Sequence, residues 1–254
     1  MTAVENPPGF VVRTLAEKAA SDNGYRLDRG VERGWLAYAS TTAPGTIWIA
    51  GCSPHGPWLL SIDHTGVAAE MSGQPISSVP GPGLATFAFA QLSEMHAALD
   101  RVYKLAISLP DAPLLRFRAK TKDLPKTTEA ERLVIQRVGQ DIFRDALLQY
   151  WGSRCPLTDI TEPELLRASH IVPWADCDDE QRLNVHNGLL LSALWDAAFD
   201  KGLISFGDDG AVLASSTLSA AAQRSLAIDV APRLEGLRDE HRVNLAKHRS
   251  RHGF

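Results

Sequence analysis

Apolar residues recur along this chain at two different periods. Val11 to Ser21 has the spacing of a short helix. Compact runs follow at Gly34–Ala39 (GWLAYA), Thr46–Ala50 (TIWIA) and Pro57–Ile62 (PWLLSI). They are rich in aromatic and β-branched residues and are broken by Gly, Pro, Ser and Thr, which predicts strands. SSVPGPGL at 77–84 predicts a loop. From Phe87 to Ser108 the residues Leu92, Met95, Leu99, Val102 and Ala106 share one helical stripe, which predicts a long helix. A second long helix is predicted to run to Trp151. Thr127 or Thr128 can cap it, Glu129 and Glu131 fall in its first turn, and Leu133, Val134, Val138, Ile142 and Leu147 supply its apolar positions. Further on come a helix-like WDAAFD and a hairpin of ISF and AVLA about GDDG. A helix over Leu218–Ile228 and a terminal helix with a basic end complete the pattern. It predicts an α+β protein, with an α+β domain over residues 1–110, a basic linker over 111–128 and a second domain over 129–254.

Composition narrows the class. The chain is 44% hydrophobic and 22% charged, as a soluble globular protein is. No apolar run approaches the roughly 20 residues of a membrane span, and MTAVENPPGF lacks a signal-peptide pattern, so a cytoplasmic protein is expected. Cys52, Cys155 and Cys177 are scattered and form no C-x-x-C pair, which supports neither a disulfide framework nor a zinc knuckle.

The net charge is −4, so any nucleic-acid contact must come from local patches. Arg116, Arg118, Lys120, Lys122 and Lys126 alternate through RFRAKTKDLPK. Arg242, Lys247, Arg249 and Arg251 lie near His241, His248 and His252 in the tail. Each run reads either as a phosphate contact or as a solvated surface. Trp35, Tyr38, Trp48 and Trp58 could stack on an extruded base or form a core. His55 and His64 lack ligand spacing and read as surface residues.

The chemistry concentrates between Cys155 and Phe206. There A-S-H-I-V-P-W (168–174) is followed by N-G-L-L-L (187–191) and D-A-A-F-D-K-G (196–202). This ordered set resembles the HNH nuclease core, the ββα-metal finger. The resemblance spans roughly the C-terminal half, from about Thr127 onward, and implies an HNH domain with flanking helices.

What it implies is a DNA phosphodiester hydrolase. His170 is the expected general base, because an imidazole with a pKa of about 6.5 suits proton abstraction near neutrality. Ile171, Val172 and Trp174 would pin its strand to the core. Asn187 is expected at the mouth of the helix, orienting the histidine. Asp196 and Asp200 stand four apart on one helix face and can share a cation. Carboxylate ligands favour one Mg2+ or Mn2+ per site. Asp200 could instead pair with Lys201 or Arg182.

The family often carries Asp or His at position 169, but Ser169 stands there, a weaker candidate ligand. His186 could compensate, or lie at the surface. Arg167 and Arg182 could clamp phosphate or bridge to the acidic run at 176–180. Arg137 or Arg144 of the preceding helix could reach phosphates too. The layout of an N-terminal reader joined to an HNH domain suggests restriction of foreign or modified DNA, with a homodimer to cut both strands. The alternative is a degenerate HNH fold that binds DNA or protein without cutting.

Overall fold

The computed structural model describes residues 4–125 and 127–254. Lys126, counted above in the basic run, lies outside them. The chain divides into two compact units, the first ending at Ala112 and the second beginning at Pro113.

The first unit contains α1 (Phe10–Asp22), β1 (Leu27–Glu32), β2 (Trp35–Ala39), β3 (Thr46–Gly51), β4 (Trp58–Ile62), α2 (Thr65–Glu70), β5 (Ala85–Phe89) and α3 (Leu92–Ser108). Its five strands form an antiparallel sheet in sequential order. The three predicted apolar runs became β2, β3 and β4. They carry the core residues Leu36, Ile47, Ile49, Leu60 and Ile62, against which α1 sets Val12 and Ala16, and α3 sets Met95 and Leu99.

Two strands escaped the periodicity. Every residue of β1 is exposed, so no alternation marks it. Its place is set instead by the turn to β2, where Arg33 and Gly34 both take positive φ, as a two-residue hairpin requires. The helix expected from Phe87 begins only at Leu92. Phe87 and Phe89 belong to β5 and alternate into the core, and Glu94 Oε2 accepts from Gln91 N at the true helix start.

Trp35, Tyr38 and Trp58 are buried, and Trp48 packs against the cluster of Trp35, Ala50 and Leu59. Trp35, Tyr38 and Trp58 are core, and Trp48 is half-buried beside it. His64 caps α2, its Nδ1 accepting from Val67 N, while His55 is exposed.

The second unit contains all but the first two residues of α4 (Asp111–Thr121), and α5 (Glu129–Tyr150), β6 (Leu166–His170), α6 (Asp179–Leu183), β7 (Gly188–Ser192), α7 (Ala193–Asp200), β8 (Ile204–Phe206), β9 (Val212–Ala214), α8 (Ala220–Leu226) and α9 (Asp239–His252). The stretch expected as a linker is therefore largely helix α4, which buries Pro113, Phe117 and Thr121. α5 starts at a capping box, with Thr128 Oγ1 accepting from Glu131 N and Glu131 Oε2 from Thr128 N. Its buried face begins at Gly139 and runs through Ile142, Phe143, Ala146, Leu147 and Tyr150.

β6 and β7 form an antiparallel pair with His170 opposite Gly188 and Leu166 opposite Ser192. Both α5 and α7 pack on this hairpin. The tail folds back: α9 buries His241, Leu245 and His248. His241 and His248 are core residues, not the edge of a basic patch, while His252 is half-buried. Among the described residues no helix is long and apolar enough to cross a membrane.

Candidate active site

Successive residues of a strand point to opposite faces, and β6 uses this to separate two functions. Ser169 is buried and points towards α7, where its hydroxyl donates to Asp196 Oδ1 at 2.5 Å. His170 points towards α5, where its ring stacks on Phe143 with centroids 3.8 Å apart and planes 18° apart.

The His170 imidazole is held on two further sides. Trp174 meets it at 5.5 Å and 89°, edge to face. Nε2 lies 2.9 Å from the backbone oxygen of Arg182. A carbonyl can only accept, so Nε2 carries the proton and the lone pair sits on Nδ1. Nδ1 makes no hydrogen bond among the described residues, which leaves it open to a water. Burial pushes the pKa of His170 down to about 4, so the ring is neutral at physiological pH.

Asn187 lies one strand earlier than expected. It ends a 3-10 turn and enters β7 rather than the helix. Its backbone oxygen accepts from Ile171 N at 3.0 Å. Its side-chain Oδ1 accepts from Val172 N at 2.9 Å. Nδ2 donates to Val172 O and Gln181 O, each at 3.2 Å, and to Cys177 Sγ at 3.4 Å. None of these bonds reaches the His170 ring. They close the loop that leaves it.

Asp196 is half-buried in the first turn of α7. Burial and the nearby Asp200 push its pKa up, while the Ser169 hydroxyl and Arg167 oppose the rise. Asp200 is exposed at the end of the same helix and pairs with Lys201 at 2.8 Å. Ser169 is committed to supporting the Asp196 carboxylate.

Among the described residues, no group of three carboxylate, imidazole or thiolate side chains converges as a metal cage. The donors present still suit one hard cation. They are two carboxylates on one helix face, with Asp196 Oδ2 unbonded among the described residues. Magnesium keeps most of its water and shares substrate phosphate oxygens, so one or two carboxylates suffice. They do not suit structural zinc, which takes four nitrogen or sulfur ligands.

The cationic residues divide. Arg167 is exposed, donates to the Glu164 and Leu166 carbonyls, and lies near enough to act on Asp196. Arg182 donates from Nε to Trp174 O, pairs with Asp179 at 3.1 Å and sits 5.2 Å over the Trp174 ring. It is committed within the site. Arg144 binds the Leu166 and Pro163 carbonyls, anchoring the entry to β6 rather than facing solvent. Arg116, Arg118 and Lys120 are exposed on α4, with Arg118 3.9 Å from Glu180. His186, read as a surface candidate, is buried. It meets Glu240 at 2.7 Å and packs edge-on against Tyr150 and His241.

Residues 155–207 match the family model of HNH endonucleases, which generally hydrolyse DNA. The matched segment runs from Cys155 through the β6–β7 hairpin and α7 to the end of β8. The C-terminal half of the chain thus carries an HNH domain, preceded by a unit of sheet and helices. None of the curated proteins matches the chain. The roles of Phe143, Trp174 and the Arg182 carbonyl were missed in the sequence. Phe143 sits on a helix outside the matched segment, and a backbone carbonyl leaves no sequence signal.

Proposed function

We propose that the chain is a metal-dependent HNH endonuclease that hydrolyses DNA phosphodiester bonds. The observation that carries this is the contact of His170 Nε2 with the Arg182 carbonyl at 2.9 Å, which assigns the proton of the neutral ring to Nε2 and leaves Nδ1 open. Nδ1 takes the proton of the attacking water. Asp196, with Asp200 beside it, would hold a single Mg2+ or Mn2+, which when bound would neutralise charge developing on the phosphate. Ser169 orients the Asp196 carboxylate. Arg167 engages the phosphate from the exposed side, and Arg116, Arg118 and Lys120 extend the contact along the DNA. Asn187 fixes the loop after His170.

The first unit reads DNA, so the whole restricts foreign or modified DNA in the cytoplasm, as a homodimer when both strands are cut. Support for this role is the layout alone, a separate α+β unit ahead of an HNH domain. Because Trp35, Tyr38 and Trp58 are core, reading must use the unit's surface.

The test is cleavage of supercoiled plasmid with magnesium, manganese or EDTA, comparing wild type with His170→Ala. Metal-dependent cutting that the variant loses is the expected result; equal cutting by both removes His170 as the base. A second reading, a binding module that does not cut, is favoured by Ser169 at a position where the family often has a ligand. Tight DNA binding with no cleavage of plain or modified plasmid under either metal would establish it.

A further inference from the structure

We infer that Phe143, on a helix that ends before the matched segment begins, is a positioning residue for His170, and that Trp174 completes the clamp. The inference rests on the reading of His170 as the general base.

An imidazole on a strand end has two ways to go wrong: its plane can tilt, and it can flip about its own axis. The Phe143 ring, stacked at 3.8 Å and 18°, fixes the plane. It cannot choose between flip states, because both leave the ring flat against it. The Arg182 carbonyl makes that choice. A flipped ring would present a carbon where Nε2 now donates at 2.9 Å. Trp174 closes the open edge, and it is held in turn by the Arg182 guanidinium over its ring and by Arg182 Nε on its carbonyl. Together these contacts leave Nδ1 as the one nitrogen presented outward.

Two glycines make room for this clamp. A Cβ on Gly188 would lie 2.5 Å from Phe143 Cζ, and one on Gly139 would lie 2.6 Å from Trp174 Cη2. Neither glycine has a left-handed backbone, so conformational freedom does not account for them. Close approach does. One seats the stacking ring and the other the edge-on ring, from opposite partners of the same histidine. The enclosure also agrees with the depressed pKa of His170, whose first cause is burial.

The experiment uses the full chain labelled with 15N-histidine, with the His170 signals assigned by their loss in His170→Ala. Long-range proton–nitrogen spectra read tautomer and titration midpoint, and plasmid cleavage is measured on the same samples. Wild type should show the Nε2–H form. Phe143→Leu should let the ring tilt off the Arg182 carbonyl and so mix the tautomers, move the midpoint up towards about 6.5 and lower kcat by roughly tenfold to a hundredfold with KM little changed. Trp174→Leu, at a half-buried position, should act in the same direction to a smaller extent, and it carries the test if Phe143→Leu does not fold.

A folded variant whose His170 keeps the wild-type tautomer and midpoint overturns the inference. The spectral changes can appear while His170→Ala cleaves normally. In that case the clamp stands and the assignment of the base falls.

Discussion

The Ser169 hydroxyl and the Asp196 carboxylate are joined at 2.5 Å across the interface of β6 and α7. A serine thus occupies the strand position from which the domain can support its helix carboxylate, and it does so by donating a proton rather than by offering a charge. The bond favours the ionised form of Asp196 against burial and against Asp200, which both oppose it.

Ser169→Ala should therefore leave a half-buried carboxylate with less support. Loss of a hydrogen bond to a charged group costs about 1.5–3 kcal/mol when buried, and less at this partly exposed site. The expected outcome is weaker magnesium binding, read as a higher metal concentration for half-maximal cleavage, with a small drop in Tm. Ser169→Asp should do the opposite to the metal: tighter manganese binding by calorimetry, together with lower stability in EDTA where two carboxylates face each other. If neither variant alters metal dependence, Asp196 is not where the cation is held.

Asn187→Ala should be among the most damaging single changes in the second unit. The side chain is 2% exposed and satisfies Val172 on both its N–H and its carbonyl, as well as the carbonyl of Gln181. Removing it leaves Val172 N without a partner among the described residues, while Val172 O keeps the Cys177 thiol and Gln181 O keeps Asn184 N. An unpaired group costs about 1–3 kcal/mol when buried, and less at this part-buried position. Asn187→Asp should be worse at neutral pH, because a carboxylate would face two carbonyl oxygens. Its pKa would be raised, so its deficit should shrink as the pH falls and the group protonates. Urea midpoints for the two variants at pH 7 and pH 5 check both statements.

Gly188→Ala should destabilise by about 1–3 kcal/mol, since the new methyl would meet Phe143 and Leu147 at 2.5 and 2.8 Å. A Tm indistinguishable from wild type would mean that the stacking ring can move aside.

The same glycine shows how far the sequence could be read. Asn187-Gly188 has the composition of a tight turn, and the motif predicts it at the mouth of the helix. In the fold Gly188 opens a fully buried strand, and the five residues of β7 show no alternation because α5 and α7 cover both faces. Helical spacing found α1 and α5, aromatic and β-branched runs between breakers found β2, β3 and β4, and the GDDG turn found the β8–β9 hairpin. Periodicity missed β1, which buries nothing, and gave Phe87 and Phe89 to the helix that follows them. The ordered motif singles out His170, Asn187 and Asp196 as candidates. The enclosure of His170 was not legible, since it depends on Phe143 from a distant helix and on a main-chain oxygen. The tail histidines were misread for a related reason: a basic end looks solvated until the helix folds back and buries His241 and His248.

The pH dependence of stability follows from two of the histidines. Burial holds both His170 and His248 down to about 4. His248 donates from Nε2 to the Phe199 carbonyl and accepts from Ser205 at Nδ1, so both of its nitrogens are committed in the neutral form. In the unfolded chain the same groups titrate near about 6.5. Between about 6.5 and about 4 the unfolded state therefore binds more protons than the folded one, and stability falls as the pH falls through that window. Above it both states are neutral and the two histidines contribute no slope.

The expected loss from pH 7 to pH 4.5 is a few kcal/mol for the pair, seen as a drop in urea midpoint. His248→Gln should flatten part of the slope, since glutamine does not titrate there. A wild-type midpoint that stays constant from pH 7 to pH 5 would show that these imidazoles are free to protonate in place. The neutral base required for cleavage would then fail near pH 6 instead of near pH 4.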